Sequence, residues 1–388
     1  MYRRFSVVLF LCVCGAAACA QSLEDLNVQV HGFATQGFLY TTNNNIFGTH
    51  SSDGSPNWSE AVVNISVQPV PKLRIAVQPR YELLGVYSNQ FSLDYASADY
   101  KASDLIGLRF GKVKTPTGLL NETQDIDPSY MWSLLPQGVY PLTNRNGLLS
   151  QYGGVVYGTL GIEGSPKLGK LDYRAWGGEV ALASNDGYFT AEEEAGVNLP
   201  NGLTHTQAGA ALHWRAPVRG LMIGVSVAKN NAASGNLTAE GGVLTGQELV
   251  APYYEPDYFA LYQRGKFMLA AEYNRLAGNY KVQFTGTTVP YTAFDTRSLF
   301  GMGSYKVTEK FSAGLYYSQS FGLTTPIGTP ARYSKDWALS CRYDFNQYIY
   351  AKAEQHFIDG TSQDYEPSLN PTLQPNTRLT ILKIGVSF

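Results

Sequence analysis

From Val28 to Phe388, apolar and polar residues alternate with a period of two, and no helical period of 3.6 persists. Leu73, Ile75 and Val77 alternate with Arg74, Ala76 and Gln78. Leu221, Ile223, Val225 and Val227 alternate with Met222, Gly224, Ser226 and Ala228. The same reading holds for Phe267 to Asn274, Phe311 to Ser318, Trp337 to Asp344 and Leu382 to Phe388. It predicts sixteen strands, at 28–41, 60–70, 72–84, 91–101, 104–113, 150–160, 170–181, 205–216, 220–230, 254–264, 266–278, 295–307, 310–321, 334–345, 348–359 and 376–388. These segments run ~10–13 residues, enough to cross a bilayer at a tilt and longer than the usual soluble strand. Their ends are rich in Tyr, Phe and Trp, as at a membrane interface.

The links alternate in length. Tight turns at 69–72, 217–220, 264–266, 308–310 and 345–348 are separated by polar links at 42–59, 114–149, 182–204, 231–253, 279–294, 322–333 and 360–375. Two links depart from the rule, a short one at 85–90 and a long one at 161–169. An antiparallel up-and-down barrel in a membrane sorts its loops this way, with short turns on one side and long loops on the other. A soluble sandwich has no reason to do so. The fold class expected is therefore all-β, a transmembrane antiparallel up-and-down β-barrel of about 16 strands.

The N-terminus changes the setting. Arg3 and Arg4, the apolar run Phe5 to Gly15, and Ala18-Cys19-Ala20 before Gln21 read as a cleaved signal peptide over 1–20, leaving the barrel at 21–388. Ala16-Ala17-Ala18 lacks the large aliphatic residue that precedes a lipidated cysteine, so Cys19 is not read as a lipid anchor. With Cys12, Cys14 and Cys19 removed only Cys341 remains, which leaves no disulfide framework and no thiolate metal cluster. Without Arg3 and Arg4 the 29 basic residues become 27, against 31 acidic, and no basic stripe offers a site for nucleic acid.

The link at 114–149 is the longest and the third long one. The run Arg109-Phe110-Gly111-Lys112-Val113-Lys114-Thr115-Pro116-Thr117-Gly118-Leu119-Leu120-Asn121-Glu122-Thr123-Gln124-Asp125, followed by Leu134-Leu135-Pro136-Gln137-Gly138-Val139-Tyr140, resembles the strand-to-constriction-loop segment of the outer-membrane porins similar to phosphate-selective porins O and P. The detailed likeness covers about a tenth of the chain. The resemblance implies a third loop folded into the lumen, a homotrimer, and a terminal Phe388 read by the barrel-assembly machinery. It does not extend to phosphate selectivity, because no lysine cluster accompanies Lys112 and Lys114.

Parity then assigns the lumen. Arg74, Arg80, Arg109, Arg174, Arg215, Arg342, Lys352 and Lys383 fall on the face opposite the apolar positions, with Glu82, Asp172, Glu272, Asp344 and Glu354. Charge on the lipid face costs ~2–4 kcal/mol at the midplane, which gives the rule its force. The surplus acids sit in loops, as at Glu192-Glu193-Glu194. The pore constriction is expected at Lys112, Lys114, Asn121, Glu122, Asp125, Asp127 and Arg145. Its carboxylates either face Arg74, Arg80 and Arg109 across the lumen, setting up a transverse field, or cap turns and pair locally with Arg145.

Other signals carry no chemistry. Gly301-Met302-Gly303 lacks the rest of a dinucleotide motif, and His31, His50, His205, His213 and His356 show no metal spacing. No G-x-S-x-G occurs, and the Asn-x-Ser/Thr matches at Asn57, Asn121 and Asn236 are chance in an exported bacterial chain. The expectation is a non-enzymatic, cofactor-free and metal-free porin of the bacterial outer membrane, passing small hydrophilic solutes or ions by passive diffusion with a mild anion preference. The alternatives are a substrate-specific channel with a saturable site, and a barrel enzyme or adhesin acting through its loops.

Overall fold

A computed structural model describes residues 26–161, 168–184, 189, 193, 196–362 and 365–388. The signal peptide expected at 1–20 lies outside the described residues, as do Glu192 and Glu194. Sixteen wall strands are numbered in chain order. They are Gln29–Thr41 (β1), Ser55–Val70 (β2), Leu73–Leu84 (β3), Ser88–Lys101 (β4), Gly107–Lys114 (β5) and Ser150–Gly161 (β6). Next come Lys170–Leu182 (β7), Leu203–Arg215 (β8), Leu221–Asn230 (β9), Tyr253–Arg264 (β10), Phe267–Phe284 (β11) and Thr292–Lys306 (β12). Phe311–Gly322 (β13), Tyr333–Asp344 (β14), Ile349–Gly360 (β15) and Asn376–Ser387 (β16) complete the wall. Each pairs antiparallel with its chain neighbours, and β1 closes on β16 with Phe33 opposite Ser387 and Leu39 opposite Ile381. Gly32 and Phe388 exchange backbone hydrogen bonds of 3.0 Å at this seam. A closed barrel leaves no unpaired edge, the condition for a sheet to cross lipid.

Every expected strand is present, with ends that differ by up to six residues: β2 starts at Ser55 rather than 60, β4 at Ser88 rather than 91 and β5 at Gly107 rather than 104. β11 runs to Phe284 rather than 278, and the link 231–252 contains a hairpin of Ala233–Ala239 and Leu244–Val250. The hairpin pairs with Val197–Asn198 on one side and with the end of β11 on the other. Its Leu237 and Ala233 pack on Leu182, Leu199 and Leu203, a small core that the Gly- and Thr-rich composition concealed.

The period of two sorts the side chains. On β9, Ile223, Val225 and Val227 point out and are exposed, while Gly224, Ser226 and Ala228 point in and are buried. Leu382, Ile384 and Val386 do the same on β16. So continuous an exposed apolar band fits a hydrocarbon surround, not water. Among the described residues no helix is long and apolar enough to cross a membrane. One bulge has a local consequence. Gln78 faces Tyr95 and Pro79 faces Leu93, so Asp94 is the extra residue and is turned into the interior. Pro79, with no N–H for the ladder, sits where the ladder breaks.

The inner face is not the uniformly polar surface that parity suggests. Leu39, Trp58, Leu84, Leu379 and Ile381 point inward and pack against Ile46 and Phe47 of the link 42–54 and Leu134 of the link 115–149. On the far side Phe300, Met302 and Tyr316 receive Met131, Trp132 and Tyr140 of the same long link. Each such large apolar side chain contributes roughly 1.5–3 kcal/mol when taken out of water, and these contacts hold two links inside the barrel.

Candidate functional site

The link 115–149 leaves β5 and is tied to the inward residues of nine other strands. Near its start, Gly118 N–H donates to Ser226 Oγ at 2.9 Å, and the Thr117 hydroxyl to Asp257 Oδ2 at 2.9 Å. Leu119 N–H donates to Glu272 Oε1 at 3.1 Å, and Tyr140 Oη to Glu272 Oε2 at 2.6 Å. Gly118 has φ +61, and a Cβ there would sit 2.3 Å from Glu272 Oε1, so glycine alone passes this point. Farther along, Ser133 and Leu134 N–H donate to the Glu354 carboxylate at 2.6 and 3.2 Å, and Arg342 Nη1 donates to the carbonyls of Tyr130 (2.9 Å) and Pro128. A segment bonded in this way to β9, β10, β11, β14 and β15 from their buried side lies inside the barrel.

The three expected carboxylates are all engaged, each with different partners. Asp127 is held by Lys383 Nζ at 2.6 Å, Lys352 Nζ at 2.9 Å and Tyr350 Oη at 2.7 Å. Burial pushes this carboxyl up, but the two ammonium groups outweigh burial and hold it well below the usual carboxylate range. Asp125 accepts from Lys114 Nζ at 2.7 Å and from Gln78 Nε2 at 2.6 Å. Glu122 lies between two guanidinium groups, Arg109 Nη1 at 3.1 Å and Arg174 Nε at 3.2 Å, and Arg109 also donates to Asp99 Oδ2 at 3.0 Å. The Glu122, Arg109 and Arg174 side chains stay 26–28% exposed, while Asp127 and Lys352 are closed off.

That exposure is to two cavities. One, of about 530 Å³, is lined by Arg74, Tyr95, Asp99, Arg109, Lys114 and Glu122 among others. The second, of about 720 Å³, includes Glu122, Arg174, Lys266, Lys306, Arg342 and Asp344. Glu122 belongs to both. Arg74, Arg109 and Lys114 face two carboxylates in the first, and four cations face two carboxylates in the second. Basic charge therefore exceeds acidic on both sides of Glu122. Among the described residues no group of His, Cys, Asp and Glu is arranged to hold a metal ion.

Several expectations need correction. Lys112 is not among the lumen residues. It shares the outward parity of Leu108 and Phe110, lies 5.6 Å from the exposed Tyr152 ring, and donates to the Leu93 carbonyl. Asn121 is a brace within the link, donating at 2.8 Å to the carbonyls of both Thr115 and Leu148. Arg145 pairs with no acid of its own link but with Asp94, at 2.7 and 3.0 Å. Arg80 is 2% exposed and sealed between Glu60 and Glu82, so it lines no open space. Arg215 is half-exposed against Asp172 near the short-turn end. No carboxylate of the link stands opposite an arginine across open water, because Glu122, Asp125 and Asp127 each touch their cations directly.

The sequence reading passed over Asp94, Asp99 and Asp257. Inward parity identifies Asp99 and Asp257, whereas Asp94 becomes inward only through the bulge.

No family model and no curated protein matches the chain by sequence. Solved structures do. An anion-selective porin from Comamonas acidovorans aligns over 93% of this chain and 99% of that one, with a TM-score of 0.56 and 11% identity. The outer membrane channel DcaP of Acinetobacter baumannii covers 95% and 99% at 0.54 and 11%. OmpT, an outer membrane protein of Vibrio cholerae in a trimer form, covers 93% and 99% at 0.51 and 13%. At these identities the likeness is one of architecture, and the chain has the fold of the outer-membrane porins.

Proposed function

We propose that this protein is a porin of the bacterial outer membrane that lets small hydrophilic solutes and ions diffuse through its lumen, with a mild preference for anions. The observation that carries the reading is the Glu122 junction, where two cavities meet at side chains still open to water and cations outnumber carboxylates on both sides. Basic side chains in a narrow, low-dielectric channel raise the local concentration of anions. In this reading the link 115–149 is the constriction, the long loops face outward, and residues 1–20 are removed on export. Phe388, paired at the barrel seam, serves as the signal to the assembly machinery, and the barrel works as a homotrimer. Kinship with the phosphate-selective porins O and P rests on the segment 109–140 alone and carries no phosphate selectivity.

A second reading has one observation in its favour. Arg74 lines the first cavity and has no carboxylate within 4.0 Å among the described residues. A solute carboxylate docked there would give a saturable channel.

Planar-bilayer recording from the refolded protein tests both. Discrete conductance steps in multiples of three, with a reversal potential of anion sign under a KCl gradient, are expected. Block that saturates with one class of organic anion would select the second reading. A folded barrel that conducts nothing would remove both.

A further inference from the structure

The outward face is not free of charge. By register with exposed apolar neighbours, Lys112, Glu179, Lys229, Arg275, Asp295, Arg297, Lys335, Asp359 and Arg378 all point away from the lumen. Every one lies toward the strand end that leads into a long link. At the other end outward positions include Tyr100, Leu160, Trp214, Tyr305, Tyr343 and Val386, and among the described residues the one outward charge of the strands there is Arg264, beside the turn. The two rims of the apolar band are thus chemically different, one aromatic and one aromatic with net positive charge.

The charge is densest between β11 and β12. Arg275 and Arg297 stand directly opposite each other in the register. Like charges in that position destabilise a strand pair unless an anion lies between them. The anion present is Asp295, which accepts from Arg275 at 3.0 and 2.9 Å but lies 3.9 Å from Arg297. One carboxylate therefore serves two guanidinium groups that remain 43% and 47% exposed. Lys229 and Arg378 are exposed and have no carboxylate within 4.0 Å among the described residues, and Lys335 reaches Asp359 only at 3.6 Å.

We propose that the long-loop rim of the outer wall, centred on Arg275 and Arg297, binds the net-anionic phosphomonoester headgroups of lipids in the surrounding leaflet. A guanidinium fork matches two phosphate oxygens, and the headgroup layer is what meets a barrel immediately above its apolar band. Phosphate between Arg275 and Arg297 supplies the second anion that Asp295 alone does not. The inference concerns the outer wall and stands apart from the permeation reading.

The test uses the refolded full chain in zwitterionic micelles doped with either phosphatidic acid or phosphatidylcholine. The readout is lipid retained per chain after gel filtration. Phosphatidic acid is expected to be retained in preference to phosphatidylcholine, to be displaced by salt or inorganic phosphate, and to fall at least fivefold in R275Q/R297Q but not in R264Q. Heat-modifiable mobility and unchanged conductance certify the fold. R297Q alone, which keeps the Arg275–Asp295 pair, replaces the double variant if that fails to fold. Equal retention by R275Q/R297Q and the parent chain, or equal retention of the two lipids, overturns the proposal. So does a change in oligomeric state without lipid loss, which would assign this rim to contacts between copies.

Discussion

Glu122→Gln is nearly isosteric and removes one negative charge from the point where the two cavities meet. Both neighbouring guanidinium groups lose a partner. Arg109 keeps Asp99, while Arg174, whose Nε lies 3.2 Å from the Glu122 carboxylate, is left with His213 at 3.0 Å. An ion passing at about 6 Å feels the lost charge as about 0.7 kcal/mol in water, cut to about 0.4 kcal/mol by screening at 0.1 M salt. That is about a twofold gain in local anion concentration and about a twofold loss for cations. The anion-to-cation permeability ratio should therefore rise about fourfold. Reversal potentials under a tenfold KCl gradient read the ratio directly, and repeating them at 1 M ionic strength should erase most of the change. A ratio unchanged at low salt, or one moving toward cations, would refute the placement of Glu122 on the permeation path.

Two further outcomes concern what holds the link 115–149 in place. Asp127→Asn leaves the buried ammonium groups of Lys352 and Lys383 without their carboxylate, a loss of roughly 3–5 kcal/mol, seen as a lower thermal midpoint and easier proteolysis within 115–149. The same anchor gives a pH dependence: Asp127 has a depressed folded pKa, so its stabilisation is complete above the ordinary carboxylate value of about 4 and is lost as pH falls below it. Protease sensitivity that is flat from pH 6 down to pH 3 would count against the anchor. Deleting residues 119–132 removes the Glu122, Asp125 and Asp127 contacts together and should raise single-channel conductance while the barrel stays heat-modifiable. An unchanged conductance would take the constriction role from this link.

Much of the wall was legible because barrel physics is written along the chain one residue at a time. A strand with hydrocarbon on one side must place Ile223, Val225 and Val227 in register, and tight links such as Arg264-Gly265-Lys266 mark where it reverses. The hairpin at 233–250 was less legible, since its strands cover a small local core and owe nothing to lipid. Parity has two limits. Lys112 is close in sequence to the link 115–149 yet points to the other face, and an inward position need not be polar. Phe300, Tyr316 and Leu379 face inward and are apolar because links cover them.

The chain by itself determined the strand count, the alternation, the asymmetry of the links and the identity of the long segment that enters the barrel. These follow from local periodicity and from turn chemistry, which neighbouring residues carry. Partnership within the lumen was decided only in three dimensions. Asp127 meets Lys383 across 256 positions of sequence, Glu272 meets Tyr140 across 132, and Asp94 meets Arg145 only because a bulge adds one residue to β4. Which carboxylate is sealed and which still faces water depends on how a loop folds back on a closed wall. No period in the sequence encodes that, because the strength of each ion pair depends on the burial that closure creates.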